Sequence, residues 1–503
     1  MKFAIRWAAL CLCLVLLAGC GRTEIGEKQA FSPNITIGQS EEEQVPTEKL
    51  STLRIPCDYT QLVTSPWNCT DLNTRKAAML LYDSPVQLTE DFQAEPALAT
   101  VSGSGTQWTL TPREGVTFSD GSALTAEELN NSLTLAMAEG SYYRSQLTNI
   151  SQHTVENNQV QITLTTADAL FPNLLTFPVG KLSGSIYVGT GRYVHLSNAD
   201  NSATLKRNDN YWGESASIEQ VELVTLTKKD VATYSLKLGD IDCLYTEGAS
   251  ADIANLSTSD YPVVSNQLIF LGANGTRGDT ANAALRQAIS LGIDRSYLIQ
   301  TALSTSAVAA DSPLHPNFSQ SFGETVKTRD TDGAKKLLTD AGLLSEGEEL
   351  SEGKELSLTL LYCNEGADRA QTANQIAAQL AEVGITVTLD GRSEADYFSA
   401  LEAGSYDLYL GEILLGDDMD LSHLWTKGTH YGYGAAPSQA LLTAYQTAFS
   451  TGSGWDAFVT AFEAEYPVIP LAFRNGTFSL SRAHSLSIRA VRSNLFYNME
   501  DWQ

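Results

Sequence analysis

Positive charge is scarce in this chain of 503 residues: 32 Lys and Arg stand against 59 Asp and Glu, a formal net charge of −27. No basic stripe is available to neutralise a phosphate backbone, which argues against nucleic acid as a partner. The same deficit argues against electrostatic docking on anionic lipid. Long apolar runs are missing as well. Beyond residue 20 nothing approaches the ~18 consecutive apolar residues that span a bilayer. Catalytic spacing is lacking too: no G-x-S-x-G, H-E-x-x-H or G-x-x-x-x-G-K-[ST] occurs. Six histidines are scattered along the chain, and past residue 20 the cysteines show no zinc-type spacing. No enzyme and no resident cofactor or metal is expected. The acidic stretch "DDMD" (417–420) lacks the order and closing Glu of a calcium loop and reads as a solvated or pocket-facing turn.

What is present begins at the amino terminus. Lys2 and Arg6 flank the start of an apolar stretch of about a dozen residues that ends in small residues, the pattern of an export signal rather than a spanning helix. Its exit, "LLAGC" (16–20), resembles the lipobox of bacterial lipoproteins. That resemblance implies removal of residues 1–19 and a diacylglycerol on Cys20, so that the mature chain starts there, anchored outside the cell membrane. Loss of Lys2 and Arg6 makes the charge balance two units more negative. Residues 20–50 have few large apolar side chains and no period, and read as the lipidated Cys with a flexible linker whose reach is on the order of 30 Å. Of the remaining cysteines, Cys57 and Cys69 are close enough in sequence to pair; Cys243 and Cys363 complete the set, and connectivity stays open.

The body is too long for one core, so at least two domains are expected. Thr125 with Glu128 three residues on forms a capping box that opens a helix ending at Gly140. A hairpin is expected over 106–121, from the alternation of Trp108 and Leu110 and then Val116 and Phe118. A helix pair broken at Gly292 is expected over 279–303. Strand, helix and strand over 356–390 suggest a crossover unit, so part of the fold is α/β.

Several of these stretches resemble, in order, the extracytoplasmic solute-binding proteins of family 5, which serve oligopeptide, dipeptide and nickel ABC importers. They are "LTPREGVTFSDGSALTAEELNNSL" (110–133), "GTGRYVHLSNADNSATLKRNDNYWG" (189–213), "LKLGDIDCLY" (236–245), "ALRQAISLGIDRSYLI" (284–299), "AKKLLTDAGL" (334–343), "YPVIPLAFRN" (466–475) and "NLFYNMEDW" (494–502). The resemblance implies a type II periplasmic-binding-protein-like bilobal α/β fold with an additional inserted subdomain. Lobe I would comprise 51–72, 185–268 and 465–503, the inserted subdomain 73–184, and lobe II 269–464. Hinge segments are expected near 266–274, whose Phe270 and Asn274 are further candidate ligand-binding residues, and near 466–474. The implied function is capture of peptides or peptide-like solutes between the lobes, by a monomer that hands them to the permease and ATPase subunits of an importer. The alternative it leaves is a nickel- or haem-type metal-chelate binder or an extracytoplasmic sensor on the same scaffold.

The departures from the family pattern locate the candidate site. In the peptide binders, a strand leads to Gly-Trp-x-x-Asp, whose Asp holds the peptide ammonium; here "YDLYLGEILLGDDMDLSHLW" (406–425) places Ile413 at the Trp and Gly416 at the Asp, with Asp417 one beyond. Asp417, then Glu412, then Asp418 are the candidate carboxylates. Strand alternation puts Glu412 on a leucine face with Leu408, Leu410 and Leu414, where an acid is either paired or functional. Tyr431 and Tyr433, in the Gly-flanked "HYGYG" (430–434), suit the wall of a cleft that grips variable ligands. His423 and His430 are read as surface or pocket-lining residues.

Overall fold

The computed structural model describes residues 50–226, 231–247, 258–303, 307–319, 323, 325–345, 356–426, 432–481 and 486–502. Three large apolar cores organise most of them, beside a small cluster of Leu236, Ile241 and Leu244. The first lies under a four-stranded sheet in which Thr52–Pro56 runs parallel to Gln220–Val224, which pairs antiparallel with Ser202–Arg207, which in turn pairs with Tyr193–Ala199. Leu53, Leu205, Val221 and Leu223 point into it, together with Ala77 to Tyr82 and the C-terminal Phe496 and Trp502. A four-stranded antiparallel sheet of Ala99–Ser104, Gln107–Pro112, Gln159–Leu164 and Ile150–Glu156 carries helix Ala126–Met137 and encloses a separate core around Leu110, Leu133, Ile162 and Phe171. We call this unit the small subdomain. The largest core fills the space around an eight-stranded sheet and its helices. The fold is thus α/β.

Two long strands, Thr258–Ala273 and Val468–Ser481, pair antiparallel and pass from one core to another. Val263, Phe478 and Leu480 belong to the first core, whereas Leu268 to Ala273 and Val468 to Phe473 belong to the largest. The register shifts between Val263 and Gln267, so the ladder is broken where the strands leave one core for the other.

Parallel strands Ser357–Cys363 and Thr386–Arg392 flank helix Ala367–Ala381, giving the strand, helix and strand read over 356–390. Helices Ala283–Gly292 and Arg295–Ala302 break at Gly292, and Asp294 caps the second through Tyr297 N at 2.9 Å. Three expectations shift. The boundary at 72/73 falls inside helix Leu72–Leu81, whose Ala77 to Leu81 pack in the first core with its strands, not in the small subdomain. The hairpin lies over 99–112, because Gln107–Pro112 finds its partner upstream in Ala99–Ser104; Val116 and Phe118 sit in a loop closed by one bridge, Thr117 to Ala123. The capped helix ends at Met137, since Ala138 is already extended, and Gly140 (φ 82°) serves the following turn. Cys57, Cys69, Cys243 and Cys363 are buried free thiols. Among the described residues, no helix is long and apolar enough to cross a membrane.

Candidate functional site

The strand Leu408–Leu414 lies in the middle of the large sheet, antiparallel to Thr258–Ala273 and parallel to Ser357–Cys363. Its exit is fixed by Asn266, whose carbonyl accepts from Leu415 N at 2.9 Å and whose Nδ2 donates to Gly416 O at 2.7 Å. The chain then turns sharply. Met419 takes a left-handed φ of 60°, donates to Gly416 O at 3.1 Å and buries its side chain completely. With Met419 drawn inward, Asp417 and Asp418 are set on the rim of a cleft. Asp420 closes the loop: its Oδ1 accepts from Ser422 N and from the Tyr445 hydroxyl, both at 2.9 Å.

The cleft is a cavity of about 910 Å³. One wall is the acidic loop, with Leu414, Asp417, Asp418, Asp420, His423 and Tyr445. The opposite wall comes from the small subdomain, whose Ser145, Gln146, Thr148, Asn149 and Thr165 offer hydroxyls and amides. Tyr142 and Arg492 also border it. Such a volume with mixed apolar and hydrogen-bonding walls suits a small organic solute.

Charge is concentrated where these walls meet. The Arg492 guanidinium is largely but not fully buried, lies 3.3 Å from Glu247 and donates to the Tyr142 hydroxyl. Burial opposes its charge, but Tyr142, Asp417 and Glu247 more than offset that and hold its pKa above the ordinary value. Arg75 stacks on the Tyr142 ring at 3.8 Å, and Lys76 donates its ammonium to the Arg492 carbonyl. Burial pushes the Lys76 ammonium well below the usual lysine range. Burial likewise raises the Asp417 carboxyl, and Arg492 and Lys76 pull it back. The cleft therefore presents a carboxylate and a guanidinium in one partly dry space, the pair of charges that a free amino end and a carboxyl group require.

Asp417 and Asp418 thus line the cavity. Glu412 does not: it borders a smaller cavity of about 80 Å³ and is held by Arg474 Nε at 2.7 Å and Gln267 Nε2 at 2.7 Å. An acid on a leucine face is here a paired acid. Phe270 is fully buried against the Tyr409 ring, and Asn274 accepts from the Thr276 hydroxyl at 2.8 Å within its own turn, so neither faces the large cleft. Tyr433 packs edge-on to Tyr409 at 6.4 Å, away from the cavity lining. Cys20, His430 and Tyr431 lie outside the described residues. Among the described residues, no cluster of three His, Cys, Asp or Glu could hold a metal ion. Arg492, Tyr142 and the small-subdomain wall were not anticipated; they come from chain segments about 75 to 275 residues away from Asp417, and no local pattern marks them.

The cleft thus lies between the acidic loop and the small subdomain, in a chain whose other two large cores are joined by two long strands. The model of the bacterial extracellular solute-binding proteins, family 5, matches residues 61–434, and the chain belongs to that family, which binds solutes for ABC transporters and is not a family of enzymes. The nickel-binding periplasmic protein of Escherichia coli (strain K12) is 26% identical over 378 residues, which are 67% of this chain and 70% of that one. Among solved structures, a nickel ABC transporter protein from Bacillus halodurans superposes with a TM-score of 0.72 at 18% identity, covering 89% of this chain and 98% of that chain. The putative peptide-binding protein AppA from Clostridium difficile superposes at 0.66 and 17% identity, covering 91% and 100%. At these identities the structural likeness speaks for the bilobal fold alone.

Proposed function

We propose that this protein is the lipid-anchored receptor of an ABC importer, that it takes peptides or peptide-like solutes into the 910 Å³ cleft, and that it passes them to a permease with its ATPase. The reading is carried by Asp417, a cleft carboxylate one residue from the position at which the family's peptide binders hold a free amino end. Arg492, lining the same cavity near Asp417, suits a carboxyl or carbonyl group of the same solute. Cys20 serves the function by keeping the receptor near its transporter. A thermal-shift screen of free di- and tripeptides, followed by calorimetry, tests the reading. Stabilisation should rise with peptide concentration, and Asp417→Asn should weaken binding about tenfold, the loss of one charged hydrogen bond. N-acetylation of the peptide should cost the parent a similar factor and cost the variant little more. A screen without any stabilising peptide would reject the peptide reading.

A further inference from the structure

The small subdomain touches the acidic loop and the helix behind it at neighbouring points. Ala169 N donates to Phe449 O at 2.9 Å, and Asn173 Nδ2 donates to Asp417 O at 2.9 Å. Beside these two bonds, Asp168 and Asp418 bring their carboxyl groups within hydrogen-bonding reach of each other. Asp168 has no exposed surface and Asp418 almost none. Each spends one oxygen on nearby backbone: Asp168 Oδ1 accepts from Leu170 N at 2.8 Å, and Asp418 Oδ1 from Asp420 N at 3.1 Å. Asp168 Oδ2 is then left without a donor. Two ionised carboxylates have no proton to share, and burying both charges side by side is strongly unfavourable. One proton held between them supplies the missing donor and removes one of the charges.

The neighbours do not relieve the pair. On the loop itself stand Asp417 and Asp420, both acids, and the charge of each further disfavours ionisation of Asp418. From helix Gln439–Thr451 comes Tyr445, whose hydroxyl donates to Asp420. His423 and Arg492 line the same cavity, and Arg492 is engaged by Glu247 and Tyr142. Burial raises the Asp168 carboxyl to about 7, and burial followed by the Asp168 charge raises that of Asp418.

We propose that Asp168 and Asp418 form a proton-operated clasp, which holds the small subdomain against the acidic loop at the edge of the cleft while they share one proton and lets go when that proton leaves. In the open form both carboxyls are hydrated and titrate near the ordinary value of about 4. Closure therefore takes up a proton at any pH between that value and the raised one of the closed pair. Below this window the clasp is at full strength. It weakens by up to tenfold per pH unit as the pH rises through the window, and levels off above it. Acid favours capture, and neutrality favours opening. The inference does not depend on which solute is carried.

The Ala169 amide reads the clasp directly, because its acceptor lies across the contact. Hydrogen exchange of the full chain without added solute, followed by mass spectrometry from pH 5 to pH 8 and corrected for intrinsic rates, should show protection of the peptide containing Ala169 falling by up to tenfold per unit between pH 5 and 7. Asp418→Asn keeps a donor for Asp168 and removes the shared proton, so its profile should be flat. Asp168→Asn should behave in the same way and serves if the first variant folds poorly, with protection of strand Ser357–Cys363 as the folding control. A flat profile in the parent overturns the clasp by itself, and so does an equal slope in the parent and either folded variant.

Discussion

Asn173 donates its side-chain amide twice, to the carbonyl of Phe92 at 2.8 Å and to that of Asp417 at 2.9 Å, and so ties the turn at Phe92 to the acidic loop of the cleft. Asn173 is buried, so both carbonyls would lose a partner that water replaces poorly. Asn173→Ala should destabilise the protein by about 2 kcal/mol, at about 1 kcal/mol for each bond. Thermal unfolding of the two proteins side by side measures it. An unchanged midpoint would mean that the contact is not populated in solution.

Arg474 holds two carboxylates from one guanidinium, with Glu412 at 2.7 Å and Asp368 at 2.9 Å, and its side chain is only 5% exposed. Burial opposes the charge on Arg474, and the two acids more than restore it. Removing the cation strands both acids, so Arg474→Met should cost about 3–5 kcal/mol. Glu412→Gln leaves Asp368 in place and an amide that still bonds Gln267, and should cost clearly less. Urea denaturation gives both values, and equal losses would contradict the arrangement.

How far the sequence carried can be judged from these residues. Helices with their own cap and stripe were legible, as at Thr125, whose hydroxyl accepts from Glu128 N at 3.4 Å. The crossover around Ala367–Ala381 was legible because strand and helix periods alternate without interruption. Glu412 was recognised as out of place on its face, but its explanation, Arg474, lies 62 residues further on, in a strand that nothing local joins to it. The same limit hid Arg492, Asn173 and Asp168. A cleft between separately cored units is built from residues that meet only after folding, and their spacing in the chain carries no period to read.

His315 should make the protein acid-sensitive. Its ring is fully buried between Phe92 and Phe473, with centroids 5.0 and 4.8 Å away, and Nδ1 accepts from Asn317 N at 3.1 Å. Burial pushes its pKa down to about 3, against about 6.5 when unfolded. The unfolded chain then binds more protons below 6.5, so this contribution is complete above 6.5 and is lost as pH falls toward 3. By pH 5 the loss is about 2 kcal/mol. His315→Phe removes the titrating group, and between pH 7.5 and 5 it should lose about that much less stability than the parent. Parallel pH profiles in denaturant melts would refute it.

The anchor is tested separately from the fold. If Cys20 carries the lipid, metabolic labelling with a tagged fatty acid should mark the parent and leave Cys20→Ser unmarked, with the variant recovered as the unprocessed precursor. Equal labelling of both would remove the lipoprotein reading and leave the cleft untouched.

Phe92 sets burial against backbone strain in one residue. It occupies the left-handed region at φ 59°, in a turn where Phe92 N donates to Thr89 O at 3.1 Å and Thr89 N to Gln93 O at 3.0 Å. Its ring is nonetheless 3% exposed and belongs to the largest core, beside His315. A side chain at this φ costs roughly 1–2 kcal/mol, which the buried ring offsets. Phe92→Ala should therefore lose about 3–5 kcal/mol, because it gives up the burial and keeps the strain. Phe92→Gly gives up the same burial but relieves the strain, since glycine adopts this conformation freely. The glycine variant should be the more stable of the two by about 1 kcal/mol, the reverse of the order expected in a helix or strand, where glycine is the worse residue. Denaturant melts of the two variants at one pH decide it: an alanine variant as stable as the glycine variant would mean that residue 92 is not left-handed in solution.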